Sequence, residues 1–345
     1  MKNTKPISLK QLLTGSSVDF LRQEEMQCLA TQDGLPELIS QLLYYKEEGK
    51  ALYPEIYIFD DLELIKKILN NPQICHIGKG QKTKDTMLKA LKKCAPLTEG
   101  GWVIYILRRE DEFEYGVLKA GESIVSTSVS EALIESGSTD VKAILVHQIA
   151  EKLIEVKGIK SDTLLVSYGS NDAVSDSPLK NQIDFIKTIV KNVKDELRDP
   201  VTNFLKKVFL EVLQKGHGTL ACVIDSKKKT LPIKLQDGIE LRERINITEA
   251  IADLLDKKDL QANSVLEGYF SLITGMMESD GITVFTNNGE IAAYNVFVKH
   301  PPKLTSTTGG ARSRTFLTLC KMIKKGIESA YIQSQDGKIE FKDGK

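Results

Sequence analysis

The stretch DGITVFTNNGEIAAYNVFV, Asp280 to Val298, constrains the fold more than any other part of the chain. Two apolar runs rich in β-formers flank Asn288-Gly289. An Asn-Gly pair in that setting is the strongest short-range signal for an antiparallel hairpin. SAYIQSQDGKIEFK (Ser329–Lys342) repeats the pattern around Asp336-Gly337. Upstream, Leu220, Cys222 and Ile224 in GTLACVID alternate as on a strand. Ile247, Ile251, Leu254 and Leu255 then mark one helix, and Val265 to Met277 a second. Phe316, Leu319, Cys320 and Ile323 form one face of a third helix, between the hairpins. The order strand, helix, helix, hairpin, helix, hairpin predicts a mixed β-sheet with packed helices over residues 216–345.

The N-terminal part has a texture of its own. Leu35–Tyr45 reads as a helix and EIYIF (Glu55–Phe59) as a strand. Asp60 and Asp61 can cap the following helix. Thr83–Leu97 reads as an amphipathic helix carrying many lysines. WVIYILR and FEYGVLK flank the charged turn REDE, a further hairpin, and strands continue through Ala143–Ile149, Lys152–Gly158 and Thr163–Tyr168. Residues 1–168 are therefore expected to be a separate α/β domain, so the whole chain falls in the α/β (α+β) class. GSNDAVSDSP (Gly169–Pro178) is a boundary of turn formers. A helical linker to residue 215 follows, interrupted at Pro200 with Asp199 as cap. Its two amphipathic helices can join the domains, pack on the second, or pair with another subunit.

Charge balance limits the function classes. Lys+Arg and Asp+Glu are both 47 in the 345 residues. A neutral total gives no whole-protein attraction to nucleic acid or a membrane surface, so phosphate chemistry needs a local cluster. The five cysteines are scattered and form no CxxC, which reads as a reducing compartment with each thiol a small core residue. Cys75-His76 alone is too few donors for a metal. MKNTKPISLKQLL lacks an apolar signal core, and no apolar run has membrane-spanning length. A cytoplasmic location is the expectation.

One local cluster stands out. In TSTTGGARSRTF (Thr305–Phe316) two glycines and two arginines precede the apolar face of the third helix, which is expected to begin near Gly310 or Ala311. Free amides at the helix start, close backbone approach at Gly309 and Gly310, and the forked charges of Arg312 and Arg314 suit phosphate oxygens. The alternative is a glycine turn with two solvated arginines. Asp280 stands where an apolar helix meets an apolar strand. It can hold a divalent cation or polarise a hydroxyl, or it can serve only as a turn cap.

Together, Asp280-Gly281-Ile282, Gly310-Ala311-Arg312-Ser313-Arg314 and Ser334-Gln335-Asp336 resemble, in order and spacing, the motifs of the diadenylate cyclase family, Asp-Gly-Ala, Gly-Thr-Arg-His-Arg and Ser-Glu-Glu. The resemblance covers residues from about 215 to the C-terminus. Residues 1–168 look, more distantly, like the sensor regions attached to some bacterial members. The resemblance implies a metal-dependent nucleotidyltransferase that condenses two ATP molecules into cyclic di-AMP, a second messenger, with release of pyrophosphate. It implies catalytic roles for Asp280, Arg312 and Arg314, and nucleotide contacts from Gly281, Ile282, Gly310, Ala311, Ser313, Thr315 and Ser334. It also implies Mg²⁺ or Mn²⁺ at Asp280 and Asp336, and a face-to-face homodimer or higher homo-oligomer. Ile282, Ala311, Ser313, Gln335 and Asp336 depart from the family motifs. They leave open a second class, a catalytically degenerate nucleotide-binding sensor.

Overall fold

A computed structural model describes residues 9–121, 124–135, 141–161, 163–167, 178–257, 260–298, 310–334 and 338–345. The chain divides into two compact units, Met1–Gly121 with Thr127–Ser175, and Glu122–Ser126 with Asp176–Lys345. Among the described residues, no helix is long and apolar enough to cross a membrane.

The first unit opens with α1 (Leu9–Gln23) and α2 (Leu29–Leu42), then the small ribbon β1 (Lys46–Glu47) and β2 (Lys50–Ala51). Next come β3 (Glu55–Phe59), α3 (Leu62–Ile68), β4 (Gln73–Gln81), α4 (Lys84–Cys94), β5 (Val103–Arg108) and β6 (Glu112–Lys119). A π-helical turn, Glu131–Glu135, precedes β7 (Ala143–Ala150), β8 (Leu153–Lys157) and β9 (Leu164–Ser167). The seven-stranded sheet runs β4-β6-β5-β3-β7-β8-β9. Alternation along β3 sends Ile56 and Ile58 to a core shared with α1, α2 and α4. It sends Tyr57 and Phe59 to the core under α3 and the π-turn. Asp61 caps α3 as expected, accepting from the Leu64 amide at 2.9 Å. Asp60 instead clamps Arg108 in a two-toothed ion pair at 2.6 and 2.8 Å. His147 is buried and paired with Glu155 at 2.9 Å, while its Nδ1 has no partner among the described residues. The cysteines are all unbonded; Cys94 and Cys222 are buried as expected, Cys28 and Cys320 are half-buried, and Cys75 is exposed because β4 is an edge strand.

The second unit comprises α5 (Pro178–Ile189), α6 (Asp195–Gln214), β10 (Thr219–Ile224), β11 (Leu235–Gln236) and β12 (Ile239–Asn246). It continues with α7 (Ile247–Lys257), α8 (Leu260–Glu278), β13 (Ile282–Thr286) and β14 (Glu290–Val298). It ends with α9 (Ala311–Met322), β15 (Ser329–Gln333) and β16 (Ile339–Asp343). Its sheet runs β11-β14-β13-β10-β15-β16, with β12 also on β14, and is mixed: β10 and β13 are parallel and the other pairs antiparallel. Both Gly-turn hairpins form, although residues 335–337 of the second lie outside the described residues. Leu220, Cys222, Ile224, Ile282 and Val284 pack under Phe316 and Leu319 of α9. The opposite face meets α5, α6 and α8 through Phe185, Phe209, Phe285 and Tyr331. This is an α/β fold with helices on both faces of a mixed sheet.

Two boundaries differ from the expectation. Residues from Asp176 onward belong with the second unit, so α5 and α6 pack on its sheet rather than stand apart as a linker. Ile124–Ser126 also joins that unit, because Lys207 of α6 donates to the Ile124 and Ser126 carbonyls at 2.8 and 3.0 Å. Pro200 does not interrupt α6, which runs unbroken from Asp195, and Asp199 lies inside it rather than capping it.

Candidate functional site

The registers of the second sheet gather the motif residues at one end. Leu220 pairs with Ile282, Thr219 with Gln333, and Ile282 with Val296. Gly218, Gly281, Asn295 and Ser334 therefore lie around the same sheet end, at the starts of β10 and β13 and the ends of β14 and β15. Gly310 is the N-cap of α9 and contributes no side-chain cap. The first recurring helix bond runs from the Arg314 amide to the Gly310 carbonyl at 3.3 Å. A helix offers the amides of its first turn no intrahelical partners, and the positive end of the helix dipole adds to them.

Arg312 reaches from that turn to Asp280, with Nη2 to Oδ1 at 3.2 Å. Its guanidinium lies across Gly218: a Cβ there would sit 3.0 Å from Arg312 Nη1 and 3.3 Å from the Gln333 carbonyl. A side chain at 218 would press on both and require the arginine to shift by a few tenths of an ångström. Gln333 is wholly buried and is fixed by a bond from its Nε2 to the His217 carbonyl at 3.2 Å and one from the Tyr331 hydroxyl at 2.9 Å. The floor beneath Arg312 is thereby rigid. The Asp280 side chain is 87% exposed and that of Arg312 37%. An exposed pair of this kind contributes little to stability, about 0–1 kcal/mol, so both charges are available to a ligand.

The remaining motif residues separate. Gly281 has φ 95°, and a Cβ there would lie 2.8 Å from the Asn295 carbonyl carbon. Gly281→Ala is expected to cost about 1–3 kcal/mol through strain at this φ, read as a lower denaturation midpoint. Ile282 is a correction: its side chain is fully buried in the core with Val296 and Phe316, so it does not line the site. It points inward because it begins β13, whose even positions face α9. Ala311, Ser313 and Arg314 are exposed on α9, and Thr315 donates back to the Ala311 carbonyl at 3.1 Å. Positions 312 and 314 are about 200° apart on a helix, which turns Arg314 away from Arg312. Among the described residues, Arg314 has no ion pair. Ser334 closes the second hairpin, exchanging hydrogen bonds with the Lys338 backbone at 3.1 Å. Asp336, with Thr305 to Gly309, lies outside the described residues.

No cluster of three metal-ligating side chains occurs among the described residues. A single carboxylate at Asp280 suits a hard cation shared with ligand phosphates, the arrangement Mg²⁺ favours over an all-protein cage. Sequence reading missed Gly218 and Asn295. The dipeptide Gly216-His217 and the strand start disguised the first, and the apolar run around Asn295 disguised the second. No protein-family model matches this chain, and no curated protein matches it.

Proposed function

We propose that the second unit is a diadenylate cyclase-like nucleotidyltransferase that takes two ATP molecules to cyclic di-AMP and pyrophosphate, under regulation by the first unit. The observation that carries this reading is the Asp280–Arg312 pair, made by motif residues 32 positions apart beside Gly218 at the start of α9. Displacement at phosphorus asks mainly for positioning and charge neutralisation. The α9 amides and Arg312 would hold the triphosphate, and Asp280 would hold Mg²⁺ or Mn²⁺ and polarise the attacking hydroxyl. The cation, when bound, neutralises phosphate charge. Each copy holds one ATP, so turnover needs two copies facing each other.

Incubation with ATP and either metal, followed by chromatography, tests the reading. Cyclic di-AMP is the expected product, and the absence of any cyclic nucleotide from any NTP overturns it. Arg312→Ala is expected to weaken ATP binding about 10–100-fold, as for a charge-assisted phosphate contact. Arg314→Ala, on the other side of the helix, is expected to change it far less within one subunit. Calorimetry with a slowly hydrolysed ATP analogue separates the two. The Asp280–Arg312 ion pair also favours a second reading, a nucleotide sensor without turnover, because each group satisfies the other when no ligand is bound. Binding without product identifies that case.

A further inference from the structure

One short segment follows the first unit in sequence and the second in packing. Ile124–Ser126 lies between Gly121 and Thr127, which both belong to the first unit, yet it groups with the second. Val125 is buried, 7% exposed, and Asn203 of α6 donates to its carbonyl at 3.5 Å. Lys207, one helical turn beyond Asn203, is half-buried and directs its ammonium at the Ile124 and Ser126 carbonyls, at 2.8 and 3.0 Å. A lysine on a helix surface ordinarily keeps its charged head in water. Here it straps three successive residues of a crossing segment to α6.

The C-terminal end of α6 meets the candidate site. Lys215, its C-cap, forms an ion pair with Glu278 of α8 at 3.0 Å, without hydrogen-bond geometry. Glu278 stands two residues before Asp280. Phe204 and Phe270 meet edge to face at 6.2 Å, so the two helices also pack along their middles. Beyond Lys215 the chain turns at Gly216, φ 68°, into His217 and Gly218. The His217 carbonyl accepts from Gln333, and Gly218 lies against Arg312. The Thr219 hydroxyl donates to the Met277 carbonyl, tying the start of β10 to the end of α8. From Lys207 to Lys215 the helix rises about 12 Å, a short and stiff rod. α6 therefore joins the strapped segment to both partners of the Asp280–Arg312 pair.

We propose that Ile124–Ser126 is a regulatory strap: docked on α6 it holds the Asp280–Arg312 site in its ATP-binding form, and its release lowers ATP affinity. The inference rests on the nucleotide reading of that site. The strap has two states, docked and released. A change in the first unit that shifts Gly121 against Thr127 pulls on Val125 directly, because the chain joins them. The docked strap accompanies the assembled Asp280–Arg312 pair. ATP, by favouring the assembled site, favours the docked strap to the same extent, since coupling between two binding equilibria is reciprocal.

Hydrogen exchange of the full chain, with and without a slowly hydrolysed ATP analogue, tests the strap beside calorimetric binding of the same analogue. In wild type the analogue is expected to slow exchange about fivefold in β6 and in the Glu131–Glu135 turn, at the lower end of usual coupling. Lys207→Met removes the clamp. It is expected to abolish that slowing and to weaken analogue binding about fivefold. Lys207→Arg keeps donors for both carbonyls and is expected to restore both effects. Lys215→Met leaves the clamp in place and breaks the tie to Glu278. It too is expected to abolish the first-unit response, and it reads the same link should Lys207→Met fail a circular dichroism melt. Unchanged first-unit exchange in wild type with analogue bound overturns the strap and leaves the nucleotide reading standing. Slowing that persists in either folded methionine variant also overturns it. No analogue binding by wild type, with or without metal, overturns the nucleotide reading and this inference with it.

Discussion

Asp280→Asn is expected to reduce cyclic dinucleotide formation by about 10³-fold or more while leaving the fold unchanged. The substitution keeps size and shape and removes one negative charge. In the proposed reaction that charge would orient the hydroxyl and share the cation, and an amide does neither well. Stability is insulated from the change because the carboxylate is 87% exposed and bonded only to Arg312 at 3.2 Å among the described residues. The same substitution releases Arg312 from its ion pair. Metal-free ATP binding is therefore expected to hold steady or tighten as turnover disappears. Product chromatography and calorimetry on the same samples read the two effects. A variant as active as wild type removes Asp280 from the mechanism. A variant that loses binding and turnover together shows Asp280 acting in affinity rather than chemistry.

The candidate site is legible in the sequence where it depends on residue type, and illegible where it depends on register. Asp280 and Arg312 carry charges in recognisable motifs, and the structure brings them to 3.2 Å. Arg314 looks equivalent in a linear motif, yet helical rotation separates it from Arg312. Ile282 occupies a motif position, but the two-residue period of β13 commits it to the core. Gly218 and Asn295 come into play only when Thr219 pairs with Gln333 and Ile282 with Val296. The fold shows a similar division. Buried strands such as β5, β7 and β10 announce themselves by apolar runs. The edge strand β4, QICHIGKGQ, carries no alternation to read, and in β12, IELRERIN, the alternation of Ile239, Leu241 and Ile245 is broken by Glu243 and its apolar side is only partly buried. Their pairing partners, not their own side chains, make them strands.

The largest effect on stability is expected at Phe185, in a helix that the sequence alone leaves unassigned between linker, packing element and subunit contact. Its ring stacks on Tyr331 at 4.9 Å and meets the edges of Phe209 at 5.7 Å, Phe341 at 6.2 Å and Phe285 at 6.3 Å. Phe185 is fully buried, and its neighbours come from α6 and three strands of the second sheet. A phenylalanine in a linker would contribute almost nothing. One in this cluster loses its transfer energy and leaves a cavity that four surrounding rings cannot collapse to fill. Phe185→Ala is therefore expected to cost about 3–5 kcal/mol, against a typical domain stability of about 5–15 kcal/mol. Chemical denaturation should show the second unit's transition moving to much lower denaturant. Phe185→Leu is expected to recover most of the loss because it refills most of the volume. A Phe185→Ala change below about 1 kcal/mol would return α5 to the status of a tether. Because Tyr331 bonds Gln333, and Gln333 floors the Arg312 site, a destabilised cluster is also expected to weaken ATP binding before the unit unfolds.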